Sequence, residues 1–237
     1  MLNRPQPWNL AAGDATLTIM RTVRLITAAL ALAGILLTAA GPAKLLGLLP
    51  YFTIQSSLLY GGYVAWISRR AGTETDPVRK GAVTLYVAIT GLVYHLVLDN
   101  PHSGFAAPAV DRSLTDAIGN QLLHTVVPLL AVLDWLVFDA RGRFRWRYAG
   151  YWLAYPLAYL AFALVRGAIV GEYPYPFLDV DELGYRGVTI TALVFAVAFW
   201  LLGLLFVLID RLPRPLPRRL RSGAGEKSRD RRTTIDE

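Results

Sequence analysis

Residues 187–209 read GVTITALVFAVAFWLLGLLFVLI. This stretch contains no charged side chain. At roughly 1.5 Å per residue, an α-helix of this length extends about 34 Å. It is therefore longer than the hydrocarbon core of a bilayer, which is about 30 Å thick. Such a run is typical of a transmembrane helix, so it indicates an integral membrane protein.

Five more apolar runs precede this one, and short charged breaks separate them. They lie at about Met20–Ala40, Tyr51–Ile67, Gly81–Leu98, Gln121–Phe138 and Tyr148–Gly171. Hydrophobic residues make up 54% of the chain and charged residues 17%, and the mean hydropathy is +0.41, which is outside the range of ordinary soluble domains. The runs do not alternate as the strands of a β-barrel would. The sequence predicts an all-α, polytopic transmembrane helical bundle of about six spans.

The predicted organisation has three parts. A cytoplasmic segment covers residues 1–19, the six spans lie within residues 20–210, and a basic, disordered tail covers residues 211–237. The tail is rich in proline and in charges of one sign, which disfavours a packed fold. An alternative for the first run is a cleaved signal peptide ending near residues 39–43, which would leave five spans in the same orientation.

Lysine and arginine lie mostly in alternate connections, and this asymmetry sets the orientation. If the N-terminus is cytoplasmic, the outer connections contain only Lys44, Arg112 and Arg186. Both termini are therefore predicted to be cytoplasmic. The Ala-, Leu- and Arg-rich composition favours a bacterial protein of the inner (plasma) membrane.

The formal net charge of +7 raises the question of a nucleic-acid partner. The basic residues lie at the ends of apolar runs, so anionic lipid headgroups are the predicted partner and nucleic acid is not. The chain contains no cysteine, which excludes disulfides and thiol catalysis. Its three histidines are spread over two spans and a loop, which does not favour a metal site. No cofactor motif is present.

Polar side chains at membrane depth are costly, so each needs a partner or a function. The predicted topology brings one group of them to a common depth, about two helical turns below the outer surface. They are Thr53 and Gln55 on the second span, Tyr94 and His95 on the third, His124 on the fourth and Arg166 on the fifth. Four spans therefore contribute to one candidate pocket.

Histidine is the commonest general base, and a threonine hydroxyl needs such a base to act as a nucleophile. His124 is the first candidate base, with His95 as the second, and Thr53 is the candidate nucleophile. In the competing interpretation, His124 bonds a backbone carbonyl and Thr53 bonds the carbonyl one turn back. Arg166 either binds an anionic group of a substrate or pairs internally with an acid such as Glu172.

Three stretches carry a resemblance to a known family. They are Tyr51-Phe52-Thr53-Ile54-Gln55, Leu123-His124-Thr125-Val126-Val127-Pro128 with Asp134 after it, and Tyr173-Pro174-Tyr175-Pro176-Phe177-Leu178-Asp179. With the pattern of spans, about residues 20–210 resemble the androgen-induced-gene type (FAR/AIG-like) six-span membrane proteins. The bacterial relatives are known as Pr-six-Pr membrane proteins.

The resemblance implies an activity. Animal members of this family are threonine hydrolases that cleave lipid esters, including fatty acid esters of hydroxy fatty acids. Their catalytic threonine and histidine match Thr53 and His124. The expected function is therefore hydrolysis of a lipid ester in an outer-leaflet pocket, with Gln55, Tyr94, His95 and Arg166 as substrate-binding candidates. Gln55, Tyr94 or backbone amides are the candidate oxyanion donors, and Asp99 or Glu172 the candidates for orienting His124.

The flanking residues differ from the animal pattern, and the substrate does not transfer with a fold. Two other functions stay open at this point. The same pocket serves a non-catalytic lipid-binding or transport bundle equally well. Alternatively, the basic tail is the active part of a partner-binding membrane protein.

Overall fold

A computed structural model describes residues 7–40, 45–70, 75–107 and 113–213 of the 237-residue chain. Within these ranges every regular element is helical. The helices are α1 (Pro7–Ala39), α2 (Leu45–Leu48), α3 (Phe52–Ser68), α4 (Pro77–Val93), α5 (Leu114–Gln121), α6 (Val127–Phe138), α7 (Trp146–Tyr151), α8 (Ala154–Val170) and α9 (Val180–Arg211). Most of the predicted tail, from residue 214 onward, lies outside the described residues.

The described ranges also contain two π-helical turns and one 3-10 turn. The first π-turn, Tyr94–Leu98, extends α4, and the second, Leu122–Val126, joins α5 to α6 without a break. The 3-10 turn, Pro176–Leu178, lies between α8 and α9. These three irregular turns all lie close to the candidate site described below.

Five of the described helical segments are long and apolar enough to cross a membrane, by length and composition. They are Asp14–Ala39, Pro77–Leu98, Leu114–Phe138, Trp146–Val170 and Val180–Arg211. Large apolar side chains cover their outward faces, including Leu193, Val197 and Leu201 on α9, each more than half exposed. A soluble protein rarely exposes such a surface. The predicted helical, multi-pass membrane architecture is confirmed at this level.

The sixth predicted span, Tyr51–Ile67, corresponds to α3. Its 17 residues form a regular helix, but at roughly 1.5 Å per residue it extends only about 26 Å. It is therefore shorter than the five segments above, and its crossing of the membrane stays a prediction. Ten of its residues are buried, so α3 is an inner helix of the bundle.

Small residues allow the helices to approach closely. A Cβ atom added at Gly61 of α3 would lie 3.7 Å from Ala28 and Ala31 of α1. A Cβ atom added at Gly203 of α9 would lie 3.1 Å from Ala149 of α7. Small residues at such positions are typical of helix packing in membranes, where close van der Waals contact drives association.

Four buried charges connect α1, α4 and α6, and sequence analysis did not predict their arrangement. Arg24 Nε lies 2.9 Å from Asp134 Oδ1, and Lys80 Nζ contacts the other oxygen of the same carboxylate. Arg24 Nη2 lies 3.1 Å from Asp139 Oδ1, which also accepts a hydrogen bond from Thr75. We call Arg24, Lys80, Asp134 and Asp139 the charge cluster. Arg24 and Lys80 belong to the basic residues that set the predicted orientation, but their distribution in the sequence does not show that they are buried and paired.

Candidate functional site

Thr53 and His124 lie in direct contact. Thr53 Oγ1 is 3.2 Å from His124 Nε2, although 71 residues separate the two in sequence. Thr53 is the second residue of α3, so no helical turn precedes it whose carbonyl could take its hydroxyl proton. The side chain is therefore available to a partner on another helix. The two residues were predicted to lie at one depth in the membrane, and in the structure they are in contact.

The π-turn that carries His124 follows from a proline. Pro128 has no N–H to donate to the carbonyl four residues earlier, and its ring clashes with that carbonyl, which belongs to His124. The chain widens just before this point, and the Val127 N–H bonds back five residues to the Leu122 carbonyl. Widened turns of this kind are frequent at functional sites.

Gly91 of α4 allows this turn to pack closely. A Cβ atom at Gly91 would lie 3.0 Å from the His124 carbonyl oxygen and 3.1 Å from Pro128 Cβ. Those distances are tighter than ordinary van der Waals contact, so a side chain here would push α4 away from the turn. The glycine therefore helps to set the position of His124 relative to its neighbours.

The neighbours of His124 fix its tautomer. His124 Nδ1 lies 2.9 Å from the Asn120 backbone carbonyl, which can only accept a hydrogen bond. Nδ1 must carry the proton in this contact, so in neutral imidazole the lone pair is on Nε2, the atom that faces Thr53. The orienting group is thus a backbone carbonyl and not the predicted carboxylate of Asp99 or Glu172.

Tyr94 holds the imidazole from one side. Its ring stacks on the His124 ring with centroids 4.2 Å apart and planes 28° apart. The Asn120 amide donates to the Tyr94 hydroxyl at 2.7 Å, and that hydroxyl donates to Asp99 at 3.4 Å. Asn120 therefore positions His124 twice, through its carbonyl and through Tyr94.

Tyr175, in the loop between α8 and α9, is a neighbour of Thr53 that we did not select from the sequence. Its hydroxyl oxygen lies 3.5 Å from Thr53 Oγ1 and accepts from the Thr53 backbone N–H at 3.4 Å. The available signal was the Tyr173–Asp179 stretch, which carried the family resemblance but contained no residue with an obvious catalytic role.

Two cavities meet at this pair. The first, of about 80 Å³, is almost wholly apolar and extends between α3 and α4 on one side and α8 and α9 on the other. The second, of about 370 Å³, lies near the start of α3, between that helix, α5 and the loop after α8, and includes Asp116, Asn120 and Tyr51 in its wall. We call them the apolar slot and the vestibule. Both are lined by Thr53, Leu98, His124 and Tyr175.

The other predicted site residues lie outside these cavities. Gln55 donates to the Leu49 carbonyl at 2.9 Å and accepts from the Tyr155 hydroxyl at 3.1 Å. His95 is exposed and contacts Thr125 at 2.9 Å. Arg166 Nη1 donates to the Glu172 carbonyl at 2.6 Å, and its Nη2 lies 3.6 Å from the Glu172 carboxylate. The structure therefore brings Thr53, Tyr94 and His124 together, but not Gln55, His95 or Arg166.

Comparison of the chain with protein-family models, with curated proteins and with solved structures found no match. Membership in the six-span family therefore stays a prediction. The function has to be argued from the geometry of Thr53, His124 and the two cavities.

Proposed function

We propose that this protein is a multi-pass membrane hydrolase of lipid esters, with Thr53 as nucleophile and His124 as general base. The observation that carries the proposal is the 3.2 Å contact between Thr53 Oγ1 and His124 Nε2. A second contact, between His124 Nδ1 and the Asn120 backbone carbonyl, puts the proton on Nδ1 and the lone pair on Nε2. A nucleophile, an adjacent base and a group that orients the base are the parts that covalent catalysis requires.

In the proposed reaction, His124 Nε2 takes the hydroxyl proton as Thr53 Oγ1 attacks the ester carbonyl carbon. The carbon–oxygen bond to the alcohol then breaks, and His124 returns the proton to the departing alkoxide. Thr53 is left as an acyl ester. His124 next deprotonates a water molecule that attacks this ester, which releases the fatty acid and restores the Thr53 hydroxyl.

The two cavities suit different parts of an ester substrate. The apolar slot is lined by side chains such as Leu157, Ala196 and Phe199, and its volume of about 80 Å³ suits the first few methylenes of an acyl chain next to the ester. The vestibule has polar groups in its wall and suits the alcohol part and the attacking water. Because Thr53 and His124 line both, the scissile bond would lie where the two cavities meet.

The proposal includes six spans with both termini in the cytoplasm of a bacterial cell. α3 runs antiparallel to α4, since Ser56 near the start of α3 contacts Thr90 near the end of α4 at 3.0 Å. At the other end, Arg21 donates to the Arg70 carbonyl, so these two basic residues lie at one end of the bundle. By the positive-inside rule that end is cytoplasmic, and the basic residues there attract anionic lipids.

Labelling with a fluorophosphonate probe tests the nucleophile. The purified protein should be labelled on Thr53, and labelling should disappear in Thr53→Ala and in His124→Ala. The chain offers a matched control, because His95 and Thr125 form a second histidine–threonine contact of 2.9 Å that lines neither cavity. Thr125→Ala and His95→Ala should be labelled like the wild type.

A folded wild type that takes no label would contradict the proposed nucleophile. If it still bound a fluorescent fatty acid, the lipid-binding or transport alternative would replace the hydrolase. Labelling that persists in Thr53→Ala would place the reactive group elsewhere.

The assignment of the apolar slot has its own test. Ala196→Phe should block the slot, and we expect kcat/KM for a butanoyl ester to fall about 10- to 200-fold relative to an acetyl ester, since even one methylene that does not fit an apolar pocket costs roughly 1–3 kcal/mol. Ala198 is exposed two residues further along α9, so Ala198→Phe is the matched control and should change neither value. An unchanged chain-length preference in Ala196→Phe would show that the acyl chain binds elsewhere.

A further inference from the structure

Tyr175 is held rigidly at the start of α3. Its side chain is 9% exposed. Its ring stacks on Phe177 with centroids 5.1 Å apart and planes 7° apart, and it meets Tyr51 edge-on at 5.7 Å. These ring contacts leave the phenol little freedom to turn. The direction of its hydroxyl is therefore a property of the fold.

That hydroxyl faces the nucleophile and the positive end of a helix together. The first N–H groups of α3 have no intrahelical acceptor and carry the positive end of the helix dipole. One of them, the Thr53 N–H, donates to the Tyr175 hydroxyl oxygen at 3.4 Å. The same oxygen lies 3.5 Å from Thr53 Oγ1.

We propose that the Tyr175 hydroxyl is the oxyanion donor for the attack of Thr53 on its ester. This inference rests on the proposed function. In the tetrahedral intermediate, the oxyanion and Thr53 Oγ1 are bonded to the same carbon, so a donor to the oxyanion must lie close to Oγ1 without replacing His124 as its base. Tyr175 meets that condition and lines both cavities where the ester carbonyl would lie.

A hydroxyl accepts and donates at the same time. The Thr53 N–H donates to the Tyr175 oxygen, and the Tyr175 O–H then donates to the oxyanion as negative charge develops on it. The positive end of α3 thus acts on the intermediate through the phenol. Burial raises the pKa of Tyr175, so the phenol keeps its proton at neutral pH and stays a donor.

The two side-chain donors predicted from the sequence, Gln55 and Tyr94, are engaged elsewhere. The Gln55 amide donates to the Leu49 carbonyl. The Tyr94 hydroxyl donates toward Asp99, and its ring is stacked on His124. The Tyr175 hydroxyl, by contrast, contacts both the nucleophile Oγ1 of Thr53 and its backbone N–H.

The test compares Tyr175→Phe with Tyr155→Phe, using steady-state hydrolysis of a soluble acyl ester by the purified full chain. Tyr155 belongs to the same aromatic cluster, but its hydroxyl donates to Gln55 and it lines neither cavity. Loss of one oxyanion donor typically lowers kcat about 10²- to 10³-fold. We expect that loss in Tyr175→Phe with KM within about twofold of the wild type, and wild-type kinetics in Tyr155→Phe.

A second readout separates catalysis from structural support. An alkyl trifluoromethyl ketone forms a tetrahedral adduct with the nucleophile, whereas the matching alkyl ether does not. Tyr175→Phe should weaken inhibition by the ketone by the same factor as kcat/KM, and leave inhibition by the ether unchanged. Equal weakening of both inhibitors, or wild-type kcat in Tyr175→Phe, would overturn the inference.

If Tyr175→Phe does not fold, 3,5-difluorotyrosine at position 175 keeps the ring and the hydroxyl but makes the phenol more acidic. Activity should then be lost at lower pH than in the wild type, as the donor ionises, and an unchanged pH profile would overturn the inference. A wild type that hydrolyses no ester would instead overturn the proposed function and this inference with it. A wild type that is active through Thr53 while Tyr175→Phe is unaffected would overturn the inference alone.

Discussion

Thr53→Ala should lower kcat for ester hydrolysis by about 10⁴- to 10⁶-fold, which is the range found when one member of a catalytic triad is removed. Alanine removes the hydroxyl that lies 3.2 Å from His124 Nε2. His124→Ala should have a comparable effect, because a threonine hydroxyl is a poor nucleophile without a base. Steady-state hydrolysis of a short-chain chromogenic ester by the purified protein measures both values.

Combining Thr53→Ala with His124→Ala tests whether the two residues act in one mechanism. Residues that act as one catalytic unit are strongly non-additive, so Thr53→Ala with His124→Ala should be no slower than the slower single variant. Thr53→Ser keeps an oxygen at the same position and should recover part of the activity. Additive losses, or a Thr53→Ser variant as inactive as Thr53→Ala, would contradict the shared mechanism.

Much of the fold could be predicted from hydropathy, because lipid accepts only helices whose backbone groups are satisfied internally. The differences have local causes. The first run was predicted to begin at Met20, whereas α1 begins at Pro7, because hydropathy marks the apolar stretch of a helix and not the polar turns that precede it. Hydropathy also gave no sign that the fifth run contains two helices, α7 and α8.

The sequence predicted part of the candidate site, because it indicates the depth of a residue in the membrane but not the direction of its side chain. Thr53 and His124 are polar groups in apolar runs at one predicted depth, so the predicted topology made them candidates for contact. Gln55 and Arg166 shared that depth, but depth does not fix the direction of a side chain around its helix. Tyr175 lies in a loop, where a tyrosine is unremarkable, and only the fold brings its hydroxyl to Thr53.

The pairing within the charge cluster also could not be predicted from the sequence, and its loss should strongly lower the stability of the protein. Side chains of Arg24, Lys80 and Asp134 are at most 2% exposed, so each depends on the others for the solvation that water would supply. A buried ion pair costs desolvation energy as it forms, and the net stabilisation relative to apolar residues is small. Removing one partner is different, because it leaves an uncompensated charge in a medium of low dielectric constant.

Asp134→Ala should therefore destabilise the protein by about 3–5 kcal/mol, since Arg24 and Lys80 would lose the carboxylate between them. Thermal unfolding in detergent, followed by circular dichroism, measures the effect. Glu182→Ala is a control, because Glu182 is exposed at the start of α9 and its loss should change the free energy of unfolding by no more than about 0.5 kcal/mol.

A variant that removes one cation and one anion together tests whether the charge cluster stabilises the packing through charge balance. Lys80→Met with Asp134→Leu removes one cation and one anion, and leaves Arg24 with Asp139 at 3.1 Å. If charge balance is what holds α1, α4 and α6 together, this double variant should be more stable than Asp134→Ala, although it changes more residues. Equal destabilisation of the two proteins would mean instead that the geometry of the Asp134 hydrogen bonds, and not neutralisation, maintains the packing. Since the cluster lies at the opposite end of α4 from His124, either outcome should leave labelling of Thr53 in the folded fraction unchanged.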